Sequence, residues 1–241
     1  MKAGLDIGNS RSKLGLYFDD GTIETKEIER SPEAILKSVN KYAIEELIVS
    51  SVSGDLVDDV MLMKALRHFV FLTHHTPLPI VLKYETPETL GRDRMALAVG
   101  AWSINKKRSS SWLILDAGTC ITMDVLNGEG EFLGGAISPG IAMRLKAMHT
   151  FTANLPFVNL KDWEDPIGRN TEEALIRGAA QGAVCEIEGY IERLKSELED
   201  LNVILTGGDA TFISKKINSK IFLQPDLLHV GLREILKYNA E

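Results

Sequence analysis

The chain contains only two cysteines, Cys120 and Cys185, among its 241 residues. Two thiols are too few for a disulfide framework, and they stand in no metal-binding or redox spacing, so they fit the reducing cytosol. Long hydrophobic runs are missing too, since no stretch reaches the roughly 18 apolar residues that a membrane span needs. Asp6 interrupts the first apolar run before a signal sequence could form. We therefore expect a cytoplasmic protein without a membrane partner.

An excess of positive charge is also missing. The formal net charge is −7, from 27 Lys and Arg against 34 Asp and Glu, so the composition does not favour a nucleic-acid partner. The content of 44% hydrophobic and 25% charged residues is ordinary for a globular protein. A chain of this length can bury one large core or two modest ones.

One sequence pattern occurs twice, and its two copies, at positions 6 and 116, lie 110 residues apart. In each copy an apolar strand ends at an aspartate, Asp6 or Asp116, and an Asp-x-Gly turn leads into a second strand, a hairpin and a third strand. One such turn is weak evidence because turns favour Asp and Gly anyway, but two in the same context indicate an internal duplication. The polar stretch 106–111, with three consecutive serines, is the candidate boundary. We predict two α/β domains, 1–108 and 109–241.

Hydrophobic periodicity and capping signals predict the remaining elements. Ser31-Pro32 is a typical helix start, in which the serine is the N-cap residue. The predicted helices cover 32–41, 55–69, 93–104, 141–149, 171–198 and 226–238. The predicted strands outside the duplicated pattern cover 46–51, 69–72, 80–84 and 203–205.

The first turn, which begins at Asp6, has the composition of a phosphate loop. Glycine at position 8 would let backbone N–H groups approach a phosphate, Asn9 and Ser10 add side-chain donors, and Lys13 adds a positive charge. Asp6 would repel phosphate directly, so we expect it to hold the Mg²⁺ that accompanies ATP, directly or through water. A plain hairpin turn is the alternative.

The second turn, from Asp116 to Thr119, offers a hydroxyl and N–H groups to the outer phosphates, and Asp116 could bind a cation. Gly207 and Gly208 follow a predicted strand, where they would permit close approach of a flat ligand such as a purine or would simply start a helix. The glycine-rich stretch 134–140 leads into a predicted helix whose N-terminus could bind an anion. A tight connection is the alternative there.

A third candidate site is the run Gly91-Arg92-Asp93-Arg94. The two flanking arginines should favour the ionised form of this aspartate. Such a weak base suffices for phosphoryl transfer, in which positioning dominates, and the arginines could hold an acidic substrate. The alternative is an ordinary helix start with a salt-bridged surface.

Taken in order, these motifs resemble those of the bacterial type III pantothenate kinases over essentially the whole chain. The Gly-x-Asp-Arg element at 91–94 separates them from general sugar kinases, and residues 152–156 and 170–174 also fit. The resemblance implies two duplicated ribonuclease-H-like, actin-like ATPase domains, each a mixed five-stranded sheet with helices, of the acetate and sugar kinase, heat-shock protein and actin superfamily. It also implies ATP-dependent phosphorylation of pantothenate to 4′-phosphopantothenate, the first step of coenzyme A biosynthesis.

The resemblance further implies roles for individual residues. Asp93 would be the catalytic base that takes the proton from the pantothenate hydroxyl, and Asp116 would bind a monovalent cation, potassium or ammonium. The protein would be a homodimer whose partner chain helps to close the pantothenate pocket. The residues expected to bind ATP are Asp6, Ile7, Gly8, Asn9, Ser10, Arg11, Ser12, Lys13 and Thr119. The residues expected to bind pantothenate are Tyr84, Gly91, Arg92, Asp93, Arg94 and Thr171.

Three other functions stay open on the sequence. A sugar or acetate kinase could use the same fold, although such enzymes usually carry longer second domains. An actin-like assembly protein that switches with nucleotide would need no pair such as Arg92 and Arg94 beside a base. A non-catalytic regulatory protein, such as a transcription accessory factor, is the third, and the acidic balance argues against direct DNA binding.

Overall fold

The computed structural model describes residues 1–8, 12–51, 65–105 and 110–240. The chain forms two compact units, of which the first comprises Met1–Arg108, Leu126–Gly134 and Asp226–Glu241 and the second Ser109–Val125 and Gly135–Pro225. The predicted boundary between the duplicated halves, between residues 108 and 109, stays a prediction. The predicted helix over 55–69 lies mostly outside the described residues, and its last two positions belong to a strand.

Five strands form the first sheet, in the order β3-β2-β1-β4-β5. They are β1 (Lys2–Ile7), β2 (Ser12–Tyr17), β3 (Ile23–Ile28), β4 (Glu46–Ser51) and β5 (His68–Phe71). β1 pairs antiparallel with β2 and parallel with β4, so Asp6 lies opposite Lys13 on one side and Ser50 on the other. The carboxyl ends of β1 and β4 therefore share one edge of the sheet.

The second sheet repeats this topology. Its order is β11-β10-β7-β8-β9-β6, so β9-β8-β7-β10-β11 matches β3-β2-β1-β4-β5 strand for strand. The strands are β6 (Val81–Leu82), β7 (Ser111–Ala117), β8 (Cys120–Leu126), β9 (Glu131–Pro139), β10 (Leu201–Thr206) and β11 (Phe222–Leu223). β7 is parallel to β10 with Asp116 opposite Thr206, as Asp6 is opposite Ser50. The two aspartates thus occupy equivalent positions in duplicated folds, and β6 adds a sixth strand by pairing parallel with β9.

Helices make up the other layer of the fold. Those in the described part of the chain are α1 (Pro32–Lys41), α2 (Arg92–Ile104), α3 (Ile141–Thr150), α4 (Thr171–Ile176), α5 (Gly182–Glu197), α6 (Ala210–Ser214) and α7 (Leu227–Tyr238). Ser31 caps α1 as predicted, because its Oγ accepts the N–H of Ala34. A π-helical turn, Arg177–Gln181, divides the predicted helix over 171–198 into α4 and α5. Among these described helices, none has the length and apolar character of a membrane span.

Packing in the first unit fixes the position of α2. α1 contributes Ile35 and Val39 to the core on one face of the sheet. On α2 and α7, small residues let the backbones approach closely: a Cβ at Gly231 would lie 2.6 Å from the carbonyl carbon of Ala96. Because α2 also contacts β4, its first turn is held at a defined place beside the sheet.

The second unit has its own core, in which α3, α4, α5 and α6 pack against the sheet. Buried apolar side chains of β7, β8 and β10 meet those of the helices, and the alanines of the π-helical turn are buried among them. Each unit therefore supports its own Asp-x-Gly turn.

Candidate functional site

The turn after β1 is built on a pair of opposite charges. Asp6 and Lys13 face each other across the β1–β2 register, an arrangement in which unlike charges attract. Ile7 is buried in the core, so only its main chain can meet a ligand. Ser12 is buried as well, and its hydroxyl oxygen has no hydrogen-bond partner within the described part of the chain. The predicted phosphate ligands at positions 9–11 lie outside the described residues.

Behind this charge pair, α7 brings a buried histidine onto the sheet. The ring of His229 lies so close to Gly15 of β2 that a Cβ there would be 2.5 Å from Nδ1. Burial, and then the positive charge of Lys13, lowers the pKa of His229 to about 4. The imidazole is therefore neutral at neutral pH and packs against β2, two residues along the strand from Lys13.

The first turn of α2 is tied to the same edge of the sheet. Nη1 of Arg92 donates a hydrogen bond to the carbonyl oxygen of Ser51 at 2.5 Å, and Cζ of Arg92 lies 5.0 Å from the centre of the Phe71 ring. Ser51 ends β4 and pairs with Ile7 of β1. The Gly-x-Asp-Arg element thus lies at the edge where the Asp6 turn begins.

Asp93 is held by its own neighbours. Its Oδ1 accepts the N–H of Arg94 at 2.9 Å, and the side chain folds back over Gly91. A Cβ at Gly91 would lie 3.6 Å from Cγ of Asp93 and would overlap Oδ1. The glycine therefore makes room for the carboxylate, which stands half-buried in the first turn of a helix, where the helix dipole favours negative charge.

Arg94 is buried against two aromatic rings. Arg94 is only 5% exposed. Its Cζ lies 5.6 Å from the ring centre of Tyr84 and 5.7 Å from that of Phe132. The structure therefore brings together the predicted residues Tyr84 and Arg94. No sequence signal places Phe132 at this site, because alternation along a strand indicates only that such a residue is buried.

In the second unit, the turn after β7 packs against the turn after β10. Gly207 has φ of +99° and lies directly on the carboxylate of Asp116 and the carbonyl of Ala117. The N–H of Asp209 donates to the same carbonyl at 2.8 Å, and burial raises the pKa of the Asp209 carboxyl. Gly207 therefore permits the close approach of the two turns, whereas a Cβ at Gly208 would have no atom within 4 Å. Since α6 begins at Ala210, directly after Asp209, the two glycines also lead into a helix.

The same turn adjoins the N-terminus of α3. The N–H of Gly140 donates to the carbonyl oxygen of Thr119 at 3.1 Å, and a Cβ at Gly140 would lie 2.6 Å from that oxygen. The N–H of Gly118 donates to the carbonyl of Cys120. The Asp116 turn and the N–H groups that begin α3 thus form one corner, which is the arrangement that binds anions in other proteins.

Thr171 begins α4 in the second unit, where the side chain of Asn170 caps the helix by accepting the N–H of Glu173 at 3.0 Å. Across the four described ranges, no group of three His, Cys, Asp or Glu side chains is placed to hold a metal ion. Any cation at Asp6 or Asp116 would therefore complete its ligands with main-chain oxygens, water or nucleotide.

Comparison with known sequences gives a consistent result. The sequence model of the family described as type III pantothenate kinase matches residues 4–193. A type III pantothenate kinase of Bacteroides fragilis is 40% identical over 242 residues, covering 99% of this chain and 98% of its own. That of Christiangramia forsetii is 41% identical with 99% of each chain covered, and that of Flavobacterium johnsoniae is 35% identical with 98% of each covered.

Solved structures share the fold at lower identity. A protein of Campylobacter jejuni described as a candidate Baf family transcriptional activator superposes with a TM-score of 0.60 at 22% identity, covering 99% of this chain and 98% of its own. The inorganic polyphosphate/ATP-glucomannokinase of Arthrobacter gives 0.52 at 13% identity with the same coverage. These structures support the duplicated actin-like fold, whereas the sequence matches identify the protein family. The chain belongs to the type III pantothenate kinase family.

Proposed function

We propose that this chain transfers the γ-phosphoryl group of ATP to the hydroxyl of pantothenate, which yields 4′-phosphopantothenate for coenzyme A biosynthesis. The observation that carries the proposal is the first turn of α2. There a fixed carboxylate, Asp93, stands next to a buried guanidinium, Arg94, that lies against Tyr84. A base beside a cation and an aromatic ring suits a small acidic alcohol.

Asp93 acts as the base in this proposal. As the alcohol oxygen of pantothenate bonds to the γ-phosphorus, the bond from that phosphorus to the β,γ-bridging oxygen breaks and ADP leaves. The alcohol proton passes to the carboxylate of Asp93. Because the transition state is loose, orientation matters more than basicity. The hydrogen bond from the Arg94 N–H and the space above Gly91 supply that orientation.

Pantothenate carries a carboxylate, which needs a positive partner. Arg94 is suited to this role because its guanidinium lies against two aromatic rings, one of which, Tyr84, carries a hydroxyl. Arg92 is engaged with the Ser51 carbonyl, so we assign it to fixing the first turn of α2 as well as to the substrate. Thr171, at the capped N-terminus of α4, is a further residue that we assign to pantothenate.

The phosphates and cations belong to the two duplicated turns in this proposal. Lys13 and the main chain from Asp6 to Gly8, with Thr119 and the first amides of α3, bind ATP. The donors at Asp6 and Asp116 are oxygen atoms, which hard cations prefer, so the residues fit Mg²⁺ at Asp6 and potassium or ammonium at Asp116. Such cations, when bound, neutralise charge on the phosphates.

We also propose that the protein is a homodimer. Several large apolar side chains of the second unit are exposed, among them Phe151, which is 85% exposed. The others in this set are Ile137, Met143, Phe157 and Ile167. Exposed apolar surface of this kind is typical of an interface, and a second copy would cover it. Sedimentation at micromolar concentration should give twice the 26.6 kDa mass of one chain, and a monomer would contradict the proposal.

A panel of acceptors tests the function. Purified protein receives ATP, Mg²⁺ and potassium with pantothenate, glucose, N-acetylmannosamine or acetate in separate reactions, and ADP release gives kcat/KM for each. We expect pantothenate to exceed every other acceptor by at least a hundredfold. Turnover of a sugar or acetate without turnover of pantothenate would replace the proposal by the sugar or acetate kinase alternative.

A further inference from the structure

Two aromatic rings and one guanidinium form a compact group in the first unit, which we call the aromatic seat: Tyr84, Arg94 and Phe132. The two ring centres lie 6.0 Å apart with their planes at 57°, and Cζ of Arg94 is within 5.7 Å of both. A cation at this distance from a ring is attracted to its electron-rich face, most strongly where water is excluded. Phe132 has no exposed surface at all.

Strand pairing brings the seat together across 50 residues of sequence. β6 pairs parallel with β9, with Leu82 opposite Phe132, and the N–H of Lys83 donates to the carbonyl of Phe132 at 2.9 Å. A salt bridge of 3.2 Å between Lys83 and Glu131 reinforces the pairing. The short strand β6 and Lys83 after it therefore determine where Tyr84 lies, two residues beyond the strand.

Gly134 lies directly against the Tyr84 ring of the aromatic seat. A Cβ at this position would lie 3.3 Å from Cδ2 and Cε2 of the Tyr84 ring, tighter than ordinary contact, and the backbone φ is +102°. Any side chain would push Tyr84 away and strain the backbone. Gly134, the first glycine of the stretch 134–140, is thus needed to make room for Tyr84. It does not belong to the anion-binding corner at Gly140.

We propose that Phe132 is the positioning residue that orients Arg94 and Tyr84 toward the carboxylate end of pantothenate, and that Gly134 makes this arrangement possible. The inference rests on the proposed function of Arg94 and Tyr84. Phe132 touches neither substrate nor reacting atoms. It acts by holding the guanidinium from beside Tyr84, because the two ring centres and Cζ of Arg94 lie at the corners of a nearly equilateral triangle. Its loss therefore affects pantothenate binding before it affects the chemical step.

The first test compares Phe132→Leu with Val39→Ala, a core variant on α1 in the same unit. We expect Phe132→Leu to raise KM for pantothenate about tenfold to thirtyfold, the range of a desolvated cation–π contact, while KM for ATP and kcat change less than threefold. The control should lower the melting temperature at least as much and leave KM for pantothenate unchanged. A loss that the control reproduces would mean that Phe132 is ordinary core.

The second test changes the ring without changing the packing. Phenylalanine analogues with one, two or three ring fluorines are incorporated at position 132, because fluorine weakens the negative face of the ring while the size stays nearly constant. KM for pantothenate should rise stepwise with each fluorine if the cation–π contact orients Arg94. A flat series, with full wild-type activity on pantothenate, would overturn the positioning role and leave the proposed function intact. If wild type itself does not use pantothenate, the proposed function is the part that fails.

Gly134→Ala supplies an independent measurement, since it displaces Tyr84 while the Phe132 side chain itself is unchanged. We expect KM for pantothenate to rise at least fivefold, with KM for ATP unchanged. An unchanged KM for pantothenate in a folded Gly134→Ala protein would count against the seat.

Discussion

Gly91→Ala should separate catalysis from stability. A Cβ at position 91 would overlap Oδ1 of Asp93, and this atom ends a flexible side chain, so the carboxylate turns away while the backbone stays. The displacement is on the order of 1 Å, which in a reaction governed by positioning lowers the rate roughly a hundredfold. That factor corresponds to about 2.7 kcal/mol of transition-state stabilisation.

The same substitution should cost the fold almost nothing. Gly91 has φ of −56° and ψ of 132°, angles that alanine adopts without strain, so a smaller unfolded-state entropy stabilises the variant by about 0.4–1 kcal/mol. Losing the Asp93–Arg94 hydrogen bond offsets this by about 0.5–1.5 kcal/mol. The two contributions nearly cancel, and the melting temperature should stay within a few degrees of wild type.

Steady-state kinetics and thermal unfolding on the same preparation measure both effects. The matched control is Gly189→Ala on α5, an exposed helical glycine with nothing within 4 Å of a new Cβ, which should be slightly more stable and fully active. A Gly91→Ala enzyme that keeps wild-type kcat would refute the reasoning, since it would mean that Asp93 does not need its observed position.

Three further predictions follow from individual groups. Asp93→Asn should lower kcat by about 10² to 10⁴ while calorimetry finds ATP and pantothenate binding intact, and near-normal turnover would remove Asp93 as the base. Asp116→Ala should reduce the rate as omission of potassium does, and a variant that potassium still fully stimulates would contradict the assignment. For His229, burial and then Lys13 lower the folded pKa to about 4 from an ordinary 6.5, so the folded chain binds fewer protons than the unfolded chain between these values. The contribution of His229 to the free energy of unfolding should therefore fall by about 3 kcal/mol as pH drops from 6.5 to 4, His229→Phe should lessen the total fall, and an equal fall in both proteins would contradict the burial argument.

Local signals in the sequence were sufficient for much of the fold. The Asp-x-Gly repeat predicts two equivalent turns, and Asp6 and Asp116 occupy equivalent places in two sheets of the same strand order. Ser31 identifies the start of α1 because a side-chain cap depends only on the next three residues. Elements whose existence depends on packing were not predictable: α6 and β11 are too short to show periodicity, and nothing local marks the π-helical turn Arg177–Gln181.

The candidate site was likewise predictable only where its residues are adjacent in sequence. The run at 91–94 identifies Asp93 because its charges are adjacent in sequence, and the structure adds that the carboxylate needs the glycine before it. Phe132 could not be found, since its contacts join it to Arg94 on a helix and to Tyr84 beyond β6, both far from it in sequence. His229 reaches the sheet behind the Asp6 turn only through the packing of α7 on Gly15, a contact between positions 214 residues apart that no local pattern reports.

The measurement that tests the central claim most directly follows the phosphoryl group itself. Pantothenate, glucose and acetate are mixed in one reaction with ATP labelled by ¹⁸O in the γ-phosphoryl group, Mg²⁺ and potassium, and the products are identified by mass spectrometry. We predict that the label is found in 4′-phosphopantothenate and that the Asp93→Asn enzyme transfers almost none. Label found instead in a sugar phosphate, in acetyl phosphate or in inorganic phosphate alone would contradict the assignment of this chain as a pantothenate kinase.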